Sequence, residues 1–133
     1  MKKDIEHARM MFSMAYKDLK AMNGMKDEEI FDDEIFGFHA QQSVEKMLKS
    51  WLSLLGEAYP KIHDLEELIA LLKDKGEKVP KQFYTLVDLA DFAVQFRYES
   101  FDDLGTEELD RAEVIQKVNE LATHVQNLIK ELE

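Results

Sequence analysis

Apolar residues recur three and four apart in five stretches of the chain, with polar residues between them. That spacing predicts amphipathic helices throughout. Near the N-terminus the apolar positions are Ile5, Ala8, Phe12, Ala15, Leu19 and Met22, with Asp4 as N-cap and Asn23-Gly24 as the stop. A long second helix runs from about Asp32 to Gly56, with Pro60 in the turn beyond it. Asp64 opens a third, with Glu67 placed as in a capping box and Leu65, Leu68, Ile69 and Leu72 on its apolar face. Lys73 to Lys78 reads as a solvated loop. Pro80 suits the first turn of a fourth helix carrying Phe83, Leu86, Val87, Ala90, Val94 and Phe96. Thr106, with Glu107 and Glu108, is the expected cap of a fifth, whose apolar positions are Val114, Val118, Leu121, Val125, Leu128 and Leu132. No segment alternates as a strand does. The expected fold is an all-α, antiparallel up-and-down bundle of four to five helices, forming one domain over residues 1–133.

The second helix breaks its own pattern. At ~100° per residue, Val44, Leu48, Trp51, Leu52 and Leu55 share an arc with Phe38, and Gln41 and Glu45 fall inside that arc. A buried polar group without a partner costs roughly 1–3 kcal/mol, and a charge more. This pair must therefore find partners between helices. An arginine from another helix is the expected answer to Glu45. His39, Gln42, Lys46 and Lys49 are expected together on the opposite, polar side.

Composition narrows the chemistry. The chain has 133 residues, 45% of them hydrophobic and 34% charged, which fits a folded globular domain. It has no cysteine, which removes disulfide and thiol chemistry and agrees with a cytoplasmic setting. No apolar run is long enough for a membrane span or a secretory leader. The net charge of −11 argues against broad binding to nucleic-acid backbone but leaves room for a local basic cleft. None of His7, His39, His63 or His124 follows a Glu by three residues, so no di-iron motif, and no other metal site or cofactor, is expected. The five glycines are not arranged as a phosphate loop. Met10, Met11, Met14 and Met47 suit an adaptable core or a dimer face.

Three pieces of the chain carry a resemblance. The run Phe38-His39-Ala40-Gln41-Gln42-Ser43-Val44-Glu45-Lys46-Met47-Leu48-Lys49, then His63-Asp64-Leu65, then Phe96-Arg97-Tyr98 resemble the HEPN domain in order and spacing. The resemblance extends from about Ala8 to Leu128. It implies a helical bundle that forms homodimers, often encoded in prokaryotes beside a minimal nucleotidyltransferase in toxin–antitoxin pairs. Many HEPN proteins are metal-independent ribonucleases with an Arg followed four to six residues later by a His. No His occupies that window after Arg9, Arg97 or Arg111. RNA cleavage of this kind needs an imidazole to move a proton beside a cation that steadies phosphate.

The expectation is therefore a non-catalytic nucleotide- or partner-binding module. Lys46, Lys49 and Arg97 would contact phosphate, His39 and Gln42 base or sugar, and Tyr98 would stack on a base. Gln41 and Glu45 would form a structural polar pair, with Glu45 holding Arg97. Two alternatives stand beside it. One is an atypical metal-independent ribonuclease toxin using His39 or His63. The other is a purely structural interaction protein whose polar face meets a partner subunit.

Overall fold

A computed structural model describes residues 4–57, 59, 61–89 and 109–133. Four α-helices and one 3-10 helix lie among these residues, joined by turns and loops, and no strand occurs among them. The helices are α1 (Ile5–Gly24), α2 (Asp33–Leu54), α3 (Leu65–Asp74) and α4 (Arg111–Leu132). The 3-10 helix spans Lys81–Leu89, between α3 and α4.

Local chemistry sets most of the boundaries. Asp4 accepts from the backbone N–H of His7 at 2.9 Å and so caps α1. Asp64 does the same for α3, from Glu66 at 2.9 Å and Glu67 at 3.4 Å. The ends of α2 and α3 share one construction. Gly56 (φ 73°) and Gly76 (φ 84°) adopt the left-handed conformation. The next residue then bonds back across the last turn: Glu57 N–H to the Leu52 carbonyl and Glu77 N–H to the Leu72 carbonyl, both at 3.1 Å. The α3 helix thus reaches Asp74, two residues into the expected loop.

Two expectations need correction. Over residues 81–89 the chain forms a 3-10 helix, not an α-helix, and Ala90, Val94 and Phe96 of the expected helix lie outside the described residues. Phe83, Leu86 and Leu89 are buried there, while Val87 is only partly so. A period of three places those three side chains in one row, so burial follows the tighter winding. The second correction concerns α4. It starts at Arg111, where Asp110 accepts from Glu113 N–H at 3.1 Å and is the cap, while Thr106, Glu107 and Glu108 lie outside the described residues. Val118, Leu121 and Val125 are buried as expected, joined by Ala122 and Ile129, whereas Leu132 is exposed.

The α1–α2 pair is the spine. Ser43 donates to the Ala15 carbonyl at 3.0 Å, and Ser50 donates to the Ala8 carbonyl at 2.7 Å. Both serines and both alanines are 0% exposed. Seven residues separate the members of each pair, so this antiparallel contact repeats every two turns with small residues at the crossing. Met22 and Phe36 continue the same spacing and are also fully buried. Further along α1, Asn23 and Asn119 exchange amide hydrogen bonds at 3.3 and 2.9 Å, tying it to α4.

The α2 helix is enclosed on almost every side. Fifteen of its residues are buried, among them Trp51, Leu48, Leu52 and Leu54. Trp51 donates from its indole nitrogen to Glu77 at 2.8 Å and packs on the His124 ring at 4.7 Å. Burial pushes the His124 imidazole below its ordinary pKa of 6.5, against the opposing pull of Glu77 and Glu131. Met47 belongs to the core, while Met10 and Met14 are exposed one turn apart on α1.

Candidate functional site

The polar intrusion on α2 is real and is answered from within the bundle. Gln41 is 1% exposed and Glu45 5%. The Gln41 amide donates to Glu45 Oε1 at 3.1 Å. Glu45 Oε2 receives Lys49 Nζ at 3.2 Å and meets His63 Nδ1 at 3.1 Å. Gln42 donates to Gln41 Oε1 at 2.7 Å. The carboxylate is therefore engaged at both oxygens, as a buried charge requires.

Lys49 does not stand on a separate polar side. Its residue is buried, and its ammonium lies between Glu45 and the Tyr59 ring, 5.5 Å from the ring centre. The enclosure of α2 explains the difference: an arc opposite the hydrophobic core still faces neighbouring elements. Tyr59 in turn hydrogen-bonds through its hydroxyl to His7 Nε2. Burial raises the Tyr59 pKa above 10.0, a hydrogen bond with Ser53 lowers it, and the charge of Asp4 raises it. The phenol stays protonated at neutral pH. The connected set runs from His7 in α1 through Tyr59, Lys49 and Glu45 to His63 at the entrance of α3.

A second set lies along α2. Asp18 of α1 meets His39 Nδ1 at 3.0 Å through one oxygen and accepts from Lys46 Nζ at 2.7 Å through the other. It repeats the plan of the Glu45 set: a carboxylate holding one lysine and one imidazole by its Nδ1. Its members are more open, with the His39 and Lys46 side chains 32% and 21% exposed.

Of the residues expected at a site, His39, Gln42, Lys46 and Lys49 are drawn into these two sets, with Gln42 joined through Gln41 to the first. Arg97 and Tyr98 lie outside the described residues. Sequence reasoning did not find Asp18, which only a contact between helices reveals. It also missed Tyr59 as a neighbour of Lys49. Among the described residues, no three His, Asp or Glu side chains gather as a metal ion would need.

A different role falls to Arg111, also missed. Its guanidinium is buried beneath the α1–α2 connection. It donates to the Met25 carbonyl at 2.7 Å, to Asp33 Oδ1 at 2.8 and 3.3 Å, and to the Phe31 carbonyl. Its flat face lies 4.9 Å over the Phe36 ring. It fastens the start of α4 to that connection.

The fold and these interhelical polar sets define an all-α bundle organised around a central helix with a buried glutamate. The family model of the HEPN domain matches residues 8–129, and the chain belongs to that family. No curated protein matches the chain, and no solved structure does. No described helix is long and apolar enough to cross a membrane.

Proposed function

We propose that this HEPN protein is a non-catalytic binding module that takes a nucleotide or a short RNA segment at the partly exposed edge of α2 carrying His39, Gln42 and Lys46, beside His63. It works as a homodimer in a prokaryotic cytoplasm, paired with a minimal nucleotidyltransferase of toxin–antitoxin type. The carrying observation is the Glu45 set: a carboxylate sheltered in the bundle, held at both oxygens, with the largely exposed His63 ring resting on it. A purely packing role does not call for a charged residue there, since apolar side chains of similar size hold helices together at least as well. The missing Arg-then-His signature supports binding without cleavage. Met10 and Met14, exposed one turn apart on α1, support a face for a second copy.

Calorimetric titration with ATP, GTP and short RNA tests the reading. Binding is expected, and Arg97→Ala is expected to weaken it about tenfold, the value of roughly 1.4 kcal/mol for one charge-assisted contact. No heat with any of the three removes the ligand half of the proposal. Co-purification with a neighbouring-gene nucleotidyltransferase tests the other half.

One observation favours a second reading, the atypical metal-independent ribonuclease. A carboxylate on His63 Nδ1 leaves Nε2 as the atom that would take a proton from a 2′-hydroxyl. Cleavage of RNA in the presence of EDTA, lost in His63→Ala, would establish it. Intact RNA and normal growth on expression would end it.

A further inference from the structure

The two lysines expected to grip phosphate already have anionic partners. Lys46 lies 2.7 Å from Asp18 and Lys49 lies 3.2 Å from Glu45. To meet an external phosphate, each would have to give up its ion pair with a partly or wholly buried carboxylate, which is unfavourable. The imidazoles stand differently. Each is held by Nδ1 on the same carboxylate as a lysine, so Nε2 is the nitrogen left for another partner. The His63 side chain is 73% exposed and that of His39 32%. In each set the lysine balances the carboxylate, so a proton on the imidazole adds a net positive charge at the outer edge.

We infer that His63 and His39, in place of Lys46 and Lys49, recognise phosphate in this module, and that each binds as imidazolium through Nε2–H. The inference rests on the binding reading above and names its ligand atom: a phosphate oxygen, whether of a free nucleotide or of RNA. The lysines are positioning residues that hold Asp18 and Glu45 in place. Binding is therefore coupled to proton uptake and strengthens as pH falls, since Nε2 can donate to phosphate while Nδ1 donates to the carboxylate only when the ring carries both hydrogens. The charged groups about His63 are Glu45 and Lys49 of α2, with Lys61 and Asp64 beside it in sequence. Asp64 is committed to capping α3. Those at His39 are Asp18 of α1 and Lys46 of α2, and the Phe38 and His39 rings meet in a T at 5.6 Å.

The test needs a phosphate that does not itself titrate. The 2′-O-methylated dinucleotide UpU and the matching hexauridylate carry diester phosphates with constant charge between pH 5.5 and 8, and cannot be cleaved through the 2′-oxygen. Their affinity is measured by calorimetry across that range for the wild type, His63→Ala, His39→Ala and His63→Gln. Binding is expected to weaken about tenfold from pH 5.5 to 8, the worth of one charge-assisted hydrogen bond. His63→Ala weakens binding at pH 5.5 and flattens most of the slope. His63→Gln keeps a donor and binds without that slope. His39→Ala removes the smaller remainder.

Hexauridylate binding much tighter than UpU would mark RNA as the source of the phosphate, and equal affinity a nucleotide-sized ligand. Binding that is independent of pH, or untouched in both alanine variants, overturns the inference and leaves the binding reading standing. No binding of either oligomer, in a protein that still takes ATP or GTP with no pH slope in excess of the nucleotide's own titration, also overturns it. Circular dichroism of His63→Ala controls for folding, and this exposed site should leave the helical signal unchanged.

Discussion

Arg111 and Glu45 are both buried charges in the same small bundle, and they are satisfied in different ways. The Arg111 guanidinium meets two backbone carbonyls and the Asp33 carboxylate, and an aromatic ring covers one face. Most of its partners are fixed main-chain atoms, and it ties the α1–α2 connection to the start of α4. Glu45 meets only side chains: Gln41, Lys49 and His63. One of those is the His63 ring, 73% exposed. A charge closed off by main chain serves the fold. A charge that ends on an exposed, titratable ring connects the interior to solvent, and this is the arrangement a binding site can use.

The sharpest way to break the comparison is at the closed end. Arg111→Met keeps the apolar stem but abandons the Met25 and Phe31 carbonyls and the Asp33 carboxylate. Loss of about 3–4 kcal/mol is expected in urea unfolding, as for removal of one partner from a buried ion pair. Arg111→Lys should recover only part of this, because an ammonium cannot reproduce the planar fork that reaches three acceptors. A loss below about 0.5 kcal/mol, the range of ordinary surface substitutions, would show that Arg111 is no fastening.

At the open end, Glu45→Gln leaves Lys49 buried with its carboxylate gone. A smaller loss of about 2 kcal/mol is expected, since Tyr59 and nearby solvent still serve the ammonium in part. Combining it with Lys49→Met removes both charges and should restore much of the stability, as replacing a whole ion pair often does. The double variant thus separates stability from function. It folds, yet His63 has lost its support, so any ligand binding at that edge should still be impaired. Full additivity of the two single losses in unfolding measurements would show that the charges do not interact.

How much of this was legible in the sequence depends on how local each determinant is. The caps Asp4 and Asp64, the glycine at the end of α2, and the three-and-four spacing in α1, α2 and α3 involve residues within one or two turns. Each was readable. The burial of Gln41 and Glu45 was readable because the apolar arc surrounds them. So was their standing as a polar pair, but their further described partners Gln42, Lys49 and His63 were not. Lys49 sits only ~40° from Glu45 on the helical wheel, yet its enclosure comes from Tyr59 beyond the end of α2, and Asp18 comes from another helix. The serine contacts left a trace, since Ser43 and Ser50 are spaced like Ala8 and Ala15, but nothing in one helix says which partner will meet it. The row Phe83, Leu86 and Leu89 signals period three, and it competes in the same stretch with the α-like pair Leu86-Val87. Arg111 was hidden most completely. A cation in the first turn runs against the helix dipole, so only its distant carbonyl and carboxylate partners account for it.

The smallest expected effect lies between the two extremes, at His124. Its ring is wedged against Trp51 and, at 6.0 Å, Phe83, and burial lowers its pKa below 6.5. It resembles Arg111 in packing and His63 in being an imidazole. In the unfolded chain the ring takes up its proton near 6.5, but in the folded protein it does so only at lower pH. The unfolded state therefore holds more protons in that window, and stability must fall as pH drops through it. His124→Gln removes this term. The wild type should lose more melting temperature between pH 7.5 and 5.5 than the variant does, with the two curves running parallel above pH 7.5. Equal losses in both proteins would show that the imidazole protonates in place at no cost, which would make this wedged ring as open to solvent as His63 and erase the distinction between enclosed and exposed titratable groups.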